Sequence, residues 1–474
     1  MTRYPDELLR RTAEIASEYL VGLPDRTVGP PVEPATLRAA LEEPLPEGPE
    51  DPQAVVERFA RDVDPGIVAT AGPRYFGFVT GGSHPAALAA DWLTAVWDQP
   101  TGLYVMSPAN AVIEEVAAAW LIELLGLRAS GKAISVGFTT GCTMANFTAL
   151  AAARHRLLAR AGWDVEADGL FGAPPIDVVV GEEAHATIFA VLQMLGLGAA
   201  RVTRVPADGE GRMRAEALPE ALAACPGPAI VCAQAGNVNS GAVDPLRPIA
   251  EACTKHGAWL HVDGAFGLWA AASPELRGLV EGVERADSWA ADAHKWLNVP
   301  YDGGLVFVAD PEAHRTAVTA PAAYLVGAEG ARDPLDWVPE FSRRARANPV
   351  YAVLRSLGRR GVSELIERCC RHARRMAERL GHEPGIEILN EVVLNQVLVR
   401  FTPGEGSTEA AADEFTRSVM AAVQRDGTCW AGGTVWHGMS AMRISVSNWS
   451  TTEDDIERSA DAILGCFREQ RGAR

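Results

Sequence analysis

Between about residue 75 and 345 the chain alternates short apolar, β-rich runs with stretches of helical length. AISVGF precedes CTMANFTALAAARHRLLA, IDVVV precedes HATIFAVLQML, and AIVCAQA precedes PLRPIAEACTKH; AWLHVD, DSWAA and GLVFVA follow. Strands alternating with helices of this length predict right-handed crossovers and a mostly parallel sheet covered on both faces. Ligands of such sheets bind at the carboxyl ends of the strands. Upstream, MTRYPDELLRRTAEIASEYL mixes charge through its apolar positions and predicts an amphipathic helix. Residues 22–52 are crowded with Pro, Gly and Glu, as in GLPDRTVGPPVEPA and LEEPLPEGPEDP, and predict extended, poorly packed chain. After 346 come a long arginine-rich helix, a strand at QVLVRFTP, a helix near 408–427, a strand at MRISVS and a final helix. The division is therefore an N-terminal arm (1–74), a large α/β domain (75–345) and a smaller α+β C-terminal domain (346–474).

Composition narrows the class. The 474 residues are 48% hydrophobic and 22% charged, ordinary globular values. The formal charge of −18 argues against nucleic acid or an anionic membrane as partner. The N-terminus has no apolar export segment, and charge interrupts every apolar run before the roughly 18 to 20 residues a bilayer requires. Eight scattered cysteines without a CxxC pair fit a reduced, cytoplasmic protein, and no metal-ligand spacing is present.

Of the 43 basic residues, only Lys132, Lys255 and Lys295 are lysine. Arginine stays protonated, whereas a desolvated lysine can lose its proton and act as an amine nucleophile. Lys295 follows the strand DSWAA, and either snorkels over Trp296 or does such chemistry. Asp263 ends AWLHVD, as a turn former or as the partner of a cationic ligand atom. In GFTTGCTMANF a small-residue turn enters a helix whose free N–H groups either receive an ordinary cap or cradle a phosphate. His185, between a strand and a helix, is a cap or a flat cover for a planar cofactor. There is no GxxxxGK[ST], and GLGAAR at 196–201 lacks a third glycine, which leaves ATP and NAD without a site. A phosphate cradle, a strand-end acid, a flat imidazole and an isolated lysine together meet the needs of pyridoxal 5'-phosphate.

The segments YFGFVTGGSHPAALAADWL, GFTTGCTMANFTALAAAR, HATIFAVLQMLG, GNVNSGAVDPLRPIA, WLHVDGAFG, ADSWAADAHKWLNVPYDGG and MRISVSNW occur in one order. In them the chain resembles the group II pyridoxal-phosphate-dependent amino-acid decarboxylases, which include the aromatic-L-amino-acid and glutamate enzymes. The resemblance implies a type I (aspartate aminotransferase-like) fold, a homodimer, and decarboxylation of an L-amino acid to an amine. It implies that Lys295 forms the Schiff base, that Asp263 faces the ring nitrogen and that His185 stacks on the ring. Ala265 then touches the opposite face, with Cys142, Thr143, Asp292 and His294 around the phosphate. Phe76, Phe78, His84 and Tyr104 match segments that line the substrate cavity in related enzymes and imply a bulky or aromatic substrate. Arg443 is a packing or dimer arginine, or else a carboxylate clamp.

The chain also departs from the family pattern. Cys142 replaces a small neutral residue, and Val238 a threonine near the cofactor oxygen, with Asn237 or Asn239 as substitutes. Pro334 falls where aromatic decarboxylases carry a loop tyrosine that protonates the product carbon, leaving Tyr324 or His185 as donor. Loss of that donor would favour an aldehyde synthase, and the same scaffold would also serve another pyridoxal-phosphate-dependent lyase or transferase; a silent binding protein would not need Lys295, Asp263 and His185 together.

Overall fold

The computed structural model describes residues 6–29, 32–319 and 330–473. The apolar runs become the strands β1 (Ser135–Thr139), β2 (Asp177–Gly181), β3 (Thr203–Val205), β4 (Ala229–Gln234), β5 (Trp259–Asp263), β6 (Ser288–Asp292) and β7 (Gly304–Val308). They form one sheet in the order β1-β7-β6-β5-β4-β2-β3. Strands β3, β2, β4, β5 and β6 are parallel, and β7 runs antiparallel to both β6 and β1. This is the mostly parallel sheet expected.

Alternate residues of each strand enter opposite layers. Val178, Val180, Ile230, Cys232 and Trp259 join the core formed with α6 (Cys142–Arg160), α7 (Val165–Asp168), α8 (Ala186–Met194) and α11 (Pro311–Val318). Val179, Val231, Leu260, Val262 and Trp289 face a larger core that includes α5 (Pro108–Leu124), α9 (Leu218–Ala223), α10 (Leu246–His256) and α12 (Ala347–Gly381). Burial on both faces is why these strands read as continuous apolar runs. Arg343, fully buried, ties the sheet to α5: it pairs with Glu114 at 2.5 Å and donates to the carbonyls of Thr101 and Phe138. Removing one partner of such a pair costs about 3–5 kcal/mol.

A second sheet, β10-β11-β9-β8, is antiparallel: β8 (Ile386–Ile388), β9 (Gln396–Phe401), β10 (Gly432–Trp436) and β11 (Met439–Ser445). Helices α12 and α13 (Glu409–Asp426) pack on it, and α14 (Glu453–Gly472) lies against both helices. Helix α12 is broken at Gly358, whose φ of +61° favours glycine.

The arm differs from its sequence reading. Inside the stretch expected to be extended lies α2 (Pro34–Leu41), because Pro34 stands in the first turn, where its missing N–H is not needed. Neither α2 nor α1 (Asp6–Gly22) nor α3 (Pro52–Val63) buries a residue within the chain. In α4 (Pro85–Trp97), Trp92, Leu93, Val96 and Trp97 are also exposed.

Candidate active site

The carboxyl ends of β1, β2, β4, β5 and β6 lie along one edge, and the candidate residues follow them. After β1, Gly141 leads into α6, and a Cβ there would sit 3.2 Å from His294 Cε1. The amide of Cys142 donates to Asp292 Oδ1 at 2.6 Å. No acceptor among the described residues takes the amide of Thr143, which leaves the positive end of α6 open to an anion.

Asp292, buried at the end of β6, organises the next turn. Its Oδ2 pairs with Lys295 Nζ at 2.9 Å, and its Oδ1 lies 3.4 Å from His294 Nε2. Burial alone would lower the Lys295 ammonium, but Asp292, Cys142 and Asp263 more than offset it and hold it above its ordinary value. Desolvation therefore does not free this amine, contrary to the argument from composition: a carboxylate one turn away compensates the charge. His294 accepts the amide of Gly303 on Nδ1 and stacks on Tyr301 at 4.4 Å. The irregular run 76–84, with Phe78 and Val79 at positive φ, crosses over the lysine so closely that a Cβ on Gly81 would lie 2.0 Å from the Lys295 carbonyl oxygen.

Asp263 ends β5 beside this turn. Its Oδ1 receives the amide of Ala265 at 3.3 Å and lies 3.4 Å from Cys142 Sγ; its Oδ2 receives Asn146 Nδ2 at 3.3 Å. The Ala265 carbonyl in turn accepts the Asp292 amide at 2.8 Å, so this half-buried residue bridges the two acids. His185 caps α8: its Nδ1 accepts the Thr187 amide and lies 2.8 Å from Thr187 Oγ1, which places the ring proton on Nε2. Burial lowers this imidazole, while Asp263 opposes and Lys295 and Arg443 reinforce the shift. His185, Asp263, Lys295, Asp292 and Arg443 thus share one electrostatic neighbourhood.

A flat, phosphorylated pyridine aldehyde fits this donor set. A primary amine, a carboxylate at a strand end and an open amide at a helix start are supplied by separate elements. Pyridoxal 5'-phosphate needs one of each.

The residues assigned to a substrate cavity are more scattered. Phe76 is 1% exposed and belongs to the core, whereas Phe78 is 65% exposed and stacks on Trp430 at 5.5 Å. His84 caps α4 and meets Trp449 edge-on at 5.5 Å. Tyr104 is half-buried, its amide bonded to Asp333 Oδ1 at 2.7 Å, and Tyr324 lies outside the described residues. An apolar cavity of about 440 Å³ between α1, α4 and Trp449 is lined by neither Lys295 nor Asp263. Pro334 is buried at the start of a short 3-10 turn. Asn239 is committed elsewhere, its Oδ1 receiving Thr434 Oγ1, whereas Asn237 accepts the amides of Asn239 and Ser240 on Oδ1 and keeps a buried Nδ2 without a partner among the described residues. Sequence reasoning passed over Tyr301, Asn146 and His261. Asn146 is one helical turn beyond Cys142, and His261 shares a strand face with Asp263, spacings that could have found both.

Comparison with known proteins agrees with this geometry. Residues 34–402 match the family described as the pyridoxal-dependent decarboxylase conserved domain. Tyrosine decarboxylase 2 of Arabidopsis thaliana is 27% identical over 96% of this chain and 86% of its own length. Aromatic-L-amino-acid decarboxylase of Bacillus atrophaeus is 25% identical over 94% of this chain and 92% of its own. Phenylacetaldehyde synthase of Arabidopsis thaliana is also 25% identical, again over 94% and 92%. Among solved structures, Oryza sativa TDC with PLP and tryptamine superposes with a TM-score of 0.91 at 25% identity, covering 99% of each chain. Mouse CSAD in apo form gives 0.89 at 26% identity over 98% of each. The chain belongs to the pyridoxal-dependent decarboxylase family, as an enzyme that removes the carboxylate of an amino acid with pyridoxal 5'-phosphate as its cofactor.

Proposed function

We propose that the substrate is an L-amino acid with an aromatic side chain and that the products are its amine and CO₂. The observation that carries the site assignment is that adjacent parallel strands, β5 and β6, deliver Asp263 and Lys295 into one charge field with His185. The aromatic class rests on relatives that act on tyrosine or tryptophan by name. When bound, the cofactor supplies the sink for the electron pair left at Cα as CO₂ departs. Lys295 holds the cofactor covalently, and Asp292 orients its Nζ and balances its charge. Asp263 would face the ring nitrogen, His185, with its proton on Nε2, would lie against the ring, and Ala265 would touch the other face. The open amide of Thr143 would meet the phosphate at the start of α6, with Cys142, Asp292 and His294 beside it. Incubating the loaded enzyme with aromatic L-amino acids should release amine and CO₂ in equal amounts. Peroxide and ammonia in their place would select the aldehyde-forming course.

Arg443 adds a role to the site. It projects from β11 with one Nη bonded to the Val238 carbonyl at 3.2 Å, while its Nε is buried without a partner. It has no carboxylate partner among the described residues, and burial lowers its pKa. A half-buried cation short of an anion favours the carboxylate-clamp reading over a packing one. A charge-assisted hydrogen bond contributes about 1.5–3 kcal/mol. Arg443→Ala is therefore expected to lower kcat/KM roughly 10- to 100-fold with cofactor absorbance unchanged, as steady-state kinetics and a spectrum would show.

The uncovered faces of the arm and of α4 support a homodimer. Leu9, Leu20, Val21, Phe59, Trp92 and Trp97 are each at least 40% exposed, and such an apolar area is better covered by a second copy than left in water. Light scattering should return twice the 50.5 kDa of one chain; the single-chain mass at micromolar concentration would contradict the dimer. The eight free cysteines fit a reducing compartment such as the cytoplasm.

A further inference from the structure

We propose that Trp259, Ser288, His261 and Asn146 form a one-directional chain of hydrogen-bond donors that holds Asp263 as an oriented anion, making His261 and Asn146 positioning residues for the cofactor's ring nitrogen. The inference rests on the reading of Asp263 as the partner of that nitrogen.

Four contacts compose the chain. Trp259 Nε1 lies 2.9 Å from Ser288 Oγ, and Ser288 Oγ lies 2.9 Å from His261 Nδ1. His261 Nε2 lies 2.9 Å from Asn146 Oδ1, and Asn146 Nδ2 lies 3.3 Å from Asp263 Oδ2. His261, Ser288 and Asn146 are fully buried, and Trp259 and Asp263 are nearly so. Three of the five come from alternate positions of β5, Trp259, His261 and Asp263, and so share one face of the strand. That face packs against α6, which brings Asn146 between the imidazole and the acid.

Its two ends force the direction of every link. An indole N–H can only donate, so Ser288 Oγ accepts it and turns its own hydrogen toward His261 Nδ1. With Nδ1 accepting, the imidazole carries its proton on Nε2 and donates to Asn146 Oδ1. That fixes the amide with its Nδ2 toward Asp263, whose ionised carboxylate can only accept. The relay needs a neutral imidazole with one donor and one acceptor. Burial supplies it, taking His261 down to about 4 with Asp263 opposing.

The Asn146 donor holds Oδ2, while the Ala265 amide and the Cys142 thiol hold the other oxygen, so the carboxylate is fixed in one orientation. Oδ2 keeps a lone pair for the ring. Without His261, the Asn146 amide loses the contact that sets its orientation and can turn its oxygen toward Asp263.

The test uses the cofactor affinity of the apoprotein, measured by titration with pyridoxal 5'-phosphate, together with steady-state kinetics of the reloaded enzyme. His261→Phe keeps a ring but no donor, and is expected to weaken cofactor affinity about tenfold, the loss of one net hydrogen bond. kcat should fall while KM stays near wild type. His261→Gln, whose amide can accept from Ser288 and donate to Asn146, should restore both. Asn146→Ala should reproduce the tenfold loss by a milder change, and it decides the matter if His261→Phe fails to fold by circular dichroism. Because His261 acts through the acid, His261→Phe combined with Asp263→Ala should be no worse than Asp263→Ala alone. Wild-type affinity in both His261→Phe and Asn146→Ala, or effects that multiply with Asp263→Ala, would overturn the proposal. An Asp263→Ala protein with unchanged affinity and kcat would instead remove the reading of Asp263 on which it rests.

Discussion

Lys295→Ala is expected to reduce turnover below detection and to leave the cofactor bound only noncovalently, so that dialysis removes it. Lys295 sits one turn from Asp292, in the charge field of Asp263 and Cys142, and Gly81 closes over its carbonyl. No other lysine can replace it. Lys132 pairs with Asp287 near the strands' opposite ends, and Lys255 lies in the last turn of α10. The variant should still fold, because Asp292 loses its ion pair with Lys295 but keeps the Cys142 amide on Oδ1. Its small-molecule counterpart is also informative: a primary amine such as methylamine, added in excess, should restore a trace of turnover. A Lys295→Ala protein with wild-type activity would contradict the assignment outright.

Asp263→Ala is expected to have the second-largest effect, and a different one. The protein should retain cofactor through Lys295 and the open amide at the start of α6, yet lose most of its rate. If the acid raises the ring nitrogen by about three pKa units, its loss costs about 4 kcal/mol, or roughly 10³-fold in kcat. The sign follows from charge: an anion beside the ring favours the protonated nitrogen, which draws electrons from Cα more strongly. Asp263→Asn preserves size and two of the neighbouring contacts but not the charge, so it should resemble alanine in rate while staying closer to wild type in thermal stability. Kinetics with a thermal melt separates the two contributions. Near-normal kcat in both variants would show that another group holds the nitrogen.

Much of this site was legible along the chain because parallel strands, apolar on both faces, end abruptly where a ligand begins. Asp263, Asp292 and Lys295 stand out as charge immediately after buried runs, and the small residues 139–143 mark a helix start. Other parts were hidden for physical reasons. Strand β3 is three residues long with two of them exposed, and the glycines of β10 blur its alternation. Helix α2 was masked by proline, which serves in a first turn as readily as in extended chain. His261 is embedded in an apolar strand, where only its contacts across to α6 distinguish it from a packed core residue. The state of Lys295 depends on Asp292, three positions earlier, whose distance no composition argument supplies. Arg443 is legible as one arginine among forty, and its shortage of an anion emerges only from the fold.

The most direct test is to reduce the cofactor-loaded protein with borohydride, digest it and locate the pyridoxyl group by mass spectrometry. With only three lysines in the chain the outcome is unambiguous. The account predicts the label on the peptide containing Lys295 and on no other. A label on Lys132 or Lys255, or none on any lysine in protein that turns over substrate, would contradict it.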